Sequence, residues 1–348
     1  MQKILFTNNI AETLLALAAE MHPSSVHIIT DTNVSTCVLP SLALPWPTIV
    51  TPPGDVGKNL DTLSSIWTQL IEQGATRRSL IINIGGGVVT DMGGFAAASF
   101  KRGVRFINVP TTLLSAVDAA VGGKTGINFL GFKNEIGVFR QADAVLISTA
   151  TFASLPAEEM LSGYAEMLKH GLLQSPEAYA RLLAYDIADA DLDALLPLLE
   201  ESVKVKERIV AEDPYEHGIR RALNLGHTAG HAFESLALQR GVPVPHGYAV
   251  AWGMLVEMVL SHIERALSSD ELYRYAAYLR NHGYGAPSIT CADYDELVSL
   301  MRHDKKNTSP ESINFTLLDA PGNPVIDCTA SESVIREALD IFRDLLGL

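Results

Sequence analysis

The chain has 348 residues, which at roughly 150 residues per domain leaves room for about two domains, each with its own core. Hydrophobic residues make up 47% and charged residues 19%, a balance that excludes disordered, fibrous and coiled-coil classes. Lys and Arg total 26 against 40 Asp and Glu, a net charge of -14, and a field of that sign repels nucleic-acid phosphate and acidic lipid headgroups, so an anionic substrate would need a local cationic pocket.

The N-terminal stretch MQKILFTNNIAETLLAL carries Asn8, Asn9 and Glu12 where a secretory signal needs an unbroken apolar run. Next come VHIIT at Val26 to Thr30, a helical pattern from Leu60 to Gly74, LIINI at Leu80 to Ile84 and RFINVP at Arg105 to Pro110. Strand alternating with helix implies a parallel sheet with crossovers. LIINI runs directly into Gly85-Gly86-Gly87, and the small residues of GGFAAASF suit a helix lying close on the sheet, where nucleotides bind in such folds. After about Leu155 the period becomes helical, over Pro156 to Gly171, Leu192 to Glu212, Ala222 to Leu238, Tyr248 to Leu267 and Asp270 to Asn281. SINFTLLD at Ser312 to Asp319 reads as a strand. The closing SESVIREALDIFRDLLGL is an amphipathic helix with its apolar stripe at Val334, Ile335, Ala338, Leu339, Phe342 and Leu345. An α/β domain over 1–155 with a mostly parallel sheet, followed by a mainly α-helical domain over 156–348, is therefore expected. The longest apolar runs, Leu80 to Phe100 and Gly247 to Val256, are broken by Asp91 and glycines or too short to span a bilayer. Cys37, Cys291 and Cys328 have neither CxxC spacing nor a nearby His, and read as reduced thiols of a cytoplasmic protein.

The chemistry-bearing residues fall into clusters. IGGGVVTD lets backbone N–H groups approach a pyrophosphate at a helix N-terminus, although a tight turn would also explain its glycines. Asp91 either accepts from a ribose hydroxyl or caps that helix. Lys124 follows Gly122-Gly123, placed to meet an anion at a backbone turn, with Lys133-Asn134 beyond it. Either lysine read alone could be a solvated loop residue. His227 and His231, i and i+4, project from one helix face, and His246 lies nearby, so a metal is plausible, and only one of the helical pair need be a ligand. Glu166 on an apolar helix asks for a cation, which a metal or Lys169 one turn on could supply, and His170 competes as a ligand. Lys206, Glu216, Arg220 and Asn224 gather cations ahead of the histidines despite the acidic balance, which suits an anionic small molecule; HDKKN at His303 to Asn307 adds a cation or is an exposed loop.

In this order GGGVVTDMGGFAAASFKRG, VPTTLLSAVDAAVGGKTGIN, GYAEMLKHG, RRALNLGHTAGHAFE and HGYAVAWGM resemble the 3-dehydroquinate synthase family, over about Asp55 to Asn307. The resemblance implies an NAD-dependent, zinc- or cobalt-requiring homodimer with a Rossmann-like N-terminal domain. It implies metal ligands Glu166, His227 and His246, leaving His231 for substrate. NAD would be held by Asp55, Lys58, Gly86, Gly87, Asp91, Thr111, Thr112, Lys133 and, nearby, Phe152. Substrate would meet Asp118, Lys124, Asn134, Lys169, Lys206, Arg220, Asn224 and His231, with Arg102 reaching across a dimer and Lys305 or Lys306 from the DKK segment. Asp55 stands where the family usually has Glu, and the spacing from His231 to His246 through QRGVPVP is longer than expected. The implied reaction takes 3-deoxy-D-arabino-heptulosonate 7-phosphate, a phosphorylated sugar acid, to 3-dehydroquinate and phosphate in the shikimate pathway. Rival readings are a sibling sugar phosphate cyclase of the 2-deoxy-scyllo-inosose or 2-epi-5-epi-valiolone synthase type, a metal-dependent alcohol or glycerol dehydrogenase, and a catalytically dead relative. The cations at Lys206 and Arg220 argue for a carboxylated substrate.

Overall fold

The computed structural model describes residues 2–130, 132–303 and 312–348. The strands are β1 (Lys3–Phe6), β2 (Val26–Asp31), β3 (Thr48–Thr51), β4 (Leu80–Gly85), β5 (Arg105–Pro110), β6 (Lys124–Phe129), β7 (Phe132–Phe139), β8 (Ala144–Ile147), β9 (Asn314–Ala320) and β10 (Asn323–Thr329). Six of them form one sheet in the order β1-β8-β5-β4-β2-β3, every pair parallel, and β6-β7 and β9-β10 form separate antiparallel pairs. The Rossmann-like α/β expectation is met.

Central strands of such a sheet are apolar on both faces because helices cover both. In β4, Leu80, Ile82 and Ile84 face a core that includes Ile10, Leu14 and Leu17 of the helix Ile10–Met21. On the other face Asn83 meets the helix Gly87–Ser99, where a Cβ on Gly93 would lie 2.1 Å from the Asn83 Oδ1. Only glycine permits that approach, and the small residues noted in the sequence have this cause. Asn83 donates to Asn108 Oδ1 on β5 at 2.9 Å, in register.

The chain divides into two compact units, Met1–Pro156 with Leu192–Val203 and Ala157–Asp191 with Lys204–Leu348. The second is helix-rich: Ala157–Gln174, Pro176–Ala184, His227–Gln239, His246–Glu264, Ser269–Asn281, Tyr294–Arg302 and Glu332–Leu346. The helix Leu192–Glu212 contributes residues to both units. The closing helix buries Ile335, Ala338, Leu339 and Phe342 as its stripe requires, and Leu346 takes the buried place expected of Leu345.

One expected element is corrected. The single helical run from Ala222 to Leu238 is two pieces, a short 3-10 helix Ile219–Asn224 and the helix His227–Gln239. Gly226 between them is left-handed, with φ 79, a turn that glycine makes without steric cost. Among the described residues no helix is long and apolar enough to cross a membrane.

Candidate active site

In the second unit, glycine contacts bring three helices together and with them a group of ligand-type side chains. A Cβ on Gly247 would fall 1.9 Å from the Ser162 carbonyl oxygen, and the Gly247 amide donates to Ser162 Oγ at 3.1 Å. Ser162 lies one turn before Glu166 on the helix Ala157–Gln174, so this contact brings His246, the first residue of its own helix, toward Glu166. His227 likewise opens its helix, after the Gly226 turn.

The Glu166 carboxylate is wholly buried. One oxygen is in ion-pair contact with Lys169. The other, Oε1, accepts no hydrogen bond and lies 3.5 Å from His227 Nε2 and 3.7 Å from His246 Nε2. One ligand atom from each of Glu166, His227 and His246 lies within 4.8 Å of the others. His227 Nδ1 is 3.1 Å from the Leu225 carbonyl, and His246 Nδ1 is 3.1 Å from Glu234 Oε2. We assign the proton of each neutral ring to Nδ1 from these acceptors, which leaves each Nε2 lone pair directed at Glu166. Three electron-pair donors converging on one point fit a divalent cation, and two His with one carboxylate keep positions open for water or substrate. His231 stands beside the group, its ring 5.4 Å from that of His227 and 6.0 Å from that of His246, outside the triad. His170 is buried elsewhere and is not part of the cluster. The geometry accommodates both readings of Glu166, one oxygen toward Lys169 and the other toward the two histidines.

Beside this triad the same unit buries cations. Lys169, Lys206 and Arg220 are 1%, 6% and 3% exposed, burial that cations rarely adopt without anionic or polar partners. Arg220 and Asn224 lie on the 3-10 turn rather than on an α-helix, so their i, i+4 relation is not a shared helical face. Asp213 organises this turn, accepting from the amides of His217 at 3.0 Å, Gly218 at 2.7 Å and Arg220 at 3.1 Å. Desolvation pushes its pKa up, but the three amide donors outweigh it and hold the carboxyl below its ordinary value. The Arg220 guanidinium donates to the Pro214 carbonyl at 2.6 Å, and Asn224 donates to Glu216 at 3.2 Å.

In the first unit, the ends of the neighbouring strands β4 and β5 supply Gly85, Gly86, Gly87, Thr111 and Thr112. The helix that begins at Gly87 has no side-chain cap, so its first amides are available to an anion. A Cβ on Gly86 would press within 3.1 Å of Thr112 Cγ2. The buried Thr111 Oγ1 has no hydrogen-bond partner, and Phe152 is buried after β8. Asp91 does not cap the helix; it pairs at 2.6 Å with Lys58, which is 4% exposed and also donates to Asn134 Oδ1. Asp55 accepts from Asn128 at 3.0 Å and faces Lys133 at 3.4 Å. The uncapped amides, the orphaned hydroxyl and this cation–carboxylate network fit a dinucleotide. Asp118 lies in a helical turn, Ser115–Ala119, and Lys124 opens β6, exposed. Arg102 is exposed in a left-handed conformation, φ 69. Lys305 lies outside the described residues.

Two carboxylates in contact with this group, Glu234 and Glu257, are not among the residues singled out from the sequence. The i+7 relation of Glu234 to His227 and the presence of Glu257 in an otherwise apolar helix were the available signals.

The model of the 3-dehydroquinate synthase N-terminal family matches residues 48–162 and that of the C-terminal family matches residues 163–307. A 3-dehydroquinate synthase of Parabacteroides distasonis is 45% identical over all of this chain and 99% of that protein, and one of Leptospira interrogans is 38% identical over 90% of this chain and 87% of that protein. Among solved structures, a 2-deoxy-scyllo-inosose synthase complexed with carbaglucose-6-phosphate, NAD+ and Co2+ superposes with TM-score 0.86 at 23% identity, covering 98% of this chain and 96% of that one. A 2-epi-5-epi-valiolone synthase from Streptomyces hygroscopicus with NAD+ and Zn2+ bound gives TM-score 0.86 at 24% identity, covering 99% and 97%.

Proposed function

The chain belongs to the 3-dehydroquinate synthase family, and from that premise we propose that it converts 3-deoxy-D-arabino-heptulosonate 7-phosphate to 3-dehydroquinate and phosphate, as a carbon–oxygen lyase using NAD and a zinc or cobalt ion. The observation that carries this reading is the convergence of Glu166, His227 and His246 in the same unit that buries Lys169, Lys206 and Arg220. A bound ion would supply Lewis acidity toward a substrate hydroxyl and NAD a reversible hydride acceptor, with no net redox over the cycle.

The chain's own residues do the rest. Glu166, His227 and His246 hold the ion, and His231 turns to the substrate. Lys206, Arg220 and Asn224 receive the substrate's anionic groups, with Arg220 suited to bidentate carboxylate pairing. Lys169 pairs with Glu166 and offers an ammonium to the substrate. Asp118, Lys124, Asn134, Arg102 and Lys305 complete the substrate contacts. Asp55, Lys58, Gly86, Gly87, Asp91, Thr111, Thr112, Lys133 and Phe152 hold NAD. A ketone formed two carbons from the phosphate-bearing carbon would acidify the C–H between them, and phosphate would then leave by β-elimination with its own oxygen taking that proton. Fixing one flexible molecule in place favours the later intramolecular ring closure over escape.

The working form in this proposal is a cytoplasmic homodimer. The exposed Phe129, Leu130, Phe132 and Phe139 of the β6-β7 pair support self-association, and sedimentation that stays monomeric at micromolar concentration would reject it. The activity test is phosphate release from 3-deoxy-D-arabino-heptulosonate 7-phosphate by protein supplied with zinc and catalytic NAD. Phosphate with dehydroquinate and no accumulating NADH supports the proposal. Accumulating NADH replaces it with a dehydrogenase, and turnover of glucose 6-phosphate or a C7 sugar phosphate instead replaces it with a sibling cyclase.

A further inference from the structure

The helices His227–Gln239 and His246–Glu264 each begin with one of the two clustered histidines, and each sends a glutamate to the start of the other. From the first, Glu234 meets His246 Nδ1 at 3.1 Å. From the second, Glu257, wholly buried, accepts from the amides of Gly226 at 2.6 Å, Thr228 at 3.1 Å and Ala229 at 3.4 Å, on both sides of His227. Neither helix has a side-chain cap of its own, so Glu257 fills for one of them the place that a local Ser or Asp usually takes.

We propose that Glu234 and Glu257 form a reciprocal carboxylate clamp that fixes the placement of His227 and His246 and holds negative charge beside them before a metal arrives. The clamp rests on the reading of Glu166, His227 and His246 as the metal site. Two helix N-termini point partial positive charge at the place where a cation must sit, which disfavours it. Glu257 offsets one of them at the backbone itself, and Glu234 draws the His246 Nδ1 proton, raising the electron density at Nε2. A hydroxyl or amide cap would satisfy the same N–H groups without supplying charge. The choice of a buried glutamate, costly without strong donors, therefore follows from the need to hold a cation. Both residues are positioning residues.

The test is zinc affinity of metal-stripped protein, measured by competition with a fluorescent chelator, together with the absorption spectrum of the Co2+ form. Glu234→Ala weakens zinc by about 10- to 100-fold, the usual loss when an outer-shell partner of a metal-bound imidazole is removed, and Glu234→Gln recovers part of it. Glu257→Gln removes the charge and keeps one acceptor oxygen, for either Gly226 or the Thr228 and Ala229 amides, while its NH2 faces the other; zinc weakens by about 10-fold while circular dichroism stays that of the parent. The Co2+ bands shift in both. Zinc affinities within about threefold of the parent in Glu234→Ala and Glu257→Gln overturn the clamp, since outer-shell partners are worth more than that. Product formation by the parent protein is scored separately. A parent that binds zinc through this triad but makes no dehydroquinate rejects the enzymatic reading and leaves the clamp standing.

Discussion

Gly253→Ala tests the packing on which the histidine pair depends. The added Cβ would sit 2.0 Å from the Gly226 carbonyl oxygen and 2.5 Å from the Gly230 nitrogen. Both neighbours are backbone, so no side chain can rotate away, and the helices must part by more than about 1 Å to approach ordinary contact near 3.5 Å. Overpacking of this kind costs about 1–3 kcal/mol. The separation also stretches the Glu257 bonds to Gly226, Thr228 and Ala229, and losing one hydrogen bond to a charged group costs about 1.5–3 kcal/mol. Alanine returns up to about 1 kcal/mol through its helix preference. The net expectation is a loss of roughly 2–5 kcal/mol, read from urea unfolding of the metal-free protein, with zinc binding weakened alongside. Gly87→Ala is the control, because its Cβ would lie at an ordinary 3.4 Å from Ala119 Cβ, and stability should hold. A Gly253→Ala protein within about 0.5 kcal/mol of the parent, the range of an unremarkable surface change, would show that the close approach of the two helices does not fix the site.

Glu166→Gln strips the triad of its anion and leaves the buried Lys169 without its ion pair; we expect loss of stoichiometric zinc by elemental analysis and about 3–5 kcal/mol of stability, as when one partner of a buried pair is removed. Retained zinc would exclude Glu166 as a ligand. Arg220→Ala should raise the KM for the carboxylated sugar phosphate far more than it weakens NAD in calorimetry, and equal losses would count against its role. For Asp213, whose pKa is lowered in the folded chain, the stabilisation is fully present above its ordinary pKa of 3.8 and is lost as pH falls through the lower folded value. Protection factors of the His217, Gly218 and Arg220 amides, exchange corrected for its intrinsic pH dependence, should therefore fall only in that acid window, and in Asp213→Ala at every pH; protection in the parent that ignores acid would refute the assignment.

The sheet is readable wherever a strand is long, buried on both faces and rich in β-branched residues, as in β2, β4 and β5. The short β1, β3 and β8, of four residues each, carry too few positions for a period to show. The β6-β7 pair was hidden because its second strand is exposed along its whole length, so no burial alternation marks it. In the second unit the helices were legible from their apolar stripes, but Gly226 was read through, because a single left-handed residue does not disturb the hydrophobic period on either side. The ligand types Glu166, His227 and His246 could be picked out from residue chemistry and motif resemblance. Glu234 and Glu257 could not, because their partners are a ring nitrogen and backbone amides from another helix, contacts that only the packed glycines Gly226, Gly230 and Gly253 create.

The position of β1 has a consequence for how the chain is made. Its partner in the sheet is β8, with Lys3 opposite Ala144 and Phe6 opposite Ile147, so this strand waits until residue 147 has been made before it can pair fully. β2, β3, β4 and β5 pair among themselves in the meantime, and β8 adds to β5. Closing so long a loop is slow rather than costly, since its entropy grows only with the logarithm of length. β1 therefore docks no earlier than β8, and a bulky fusion ahead of β1 should delay completion of the sheet while leaving the pairing of its inner strands unchanged.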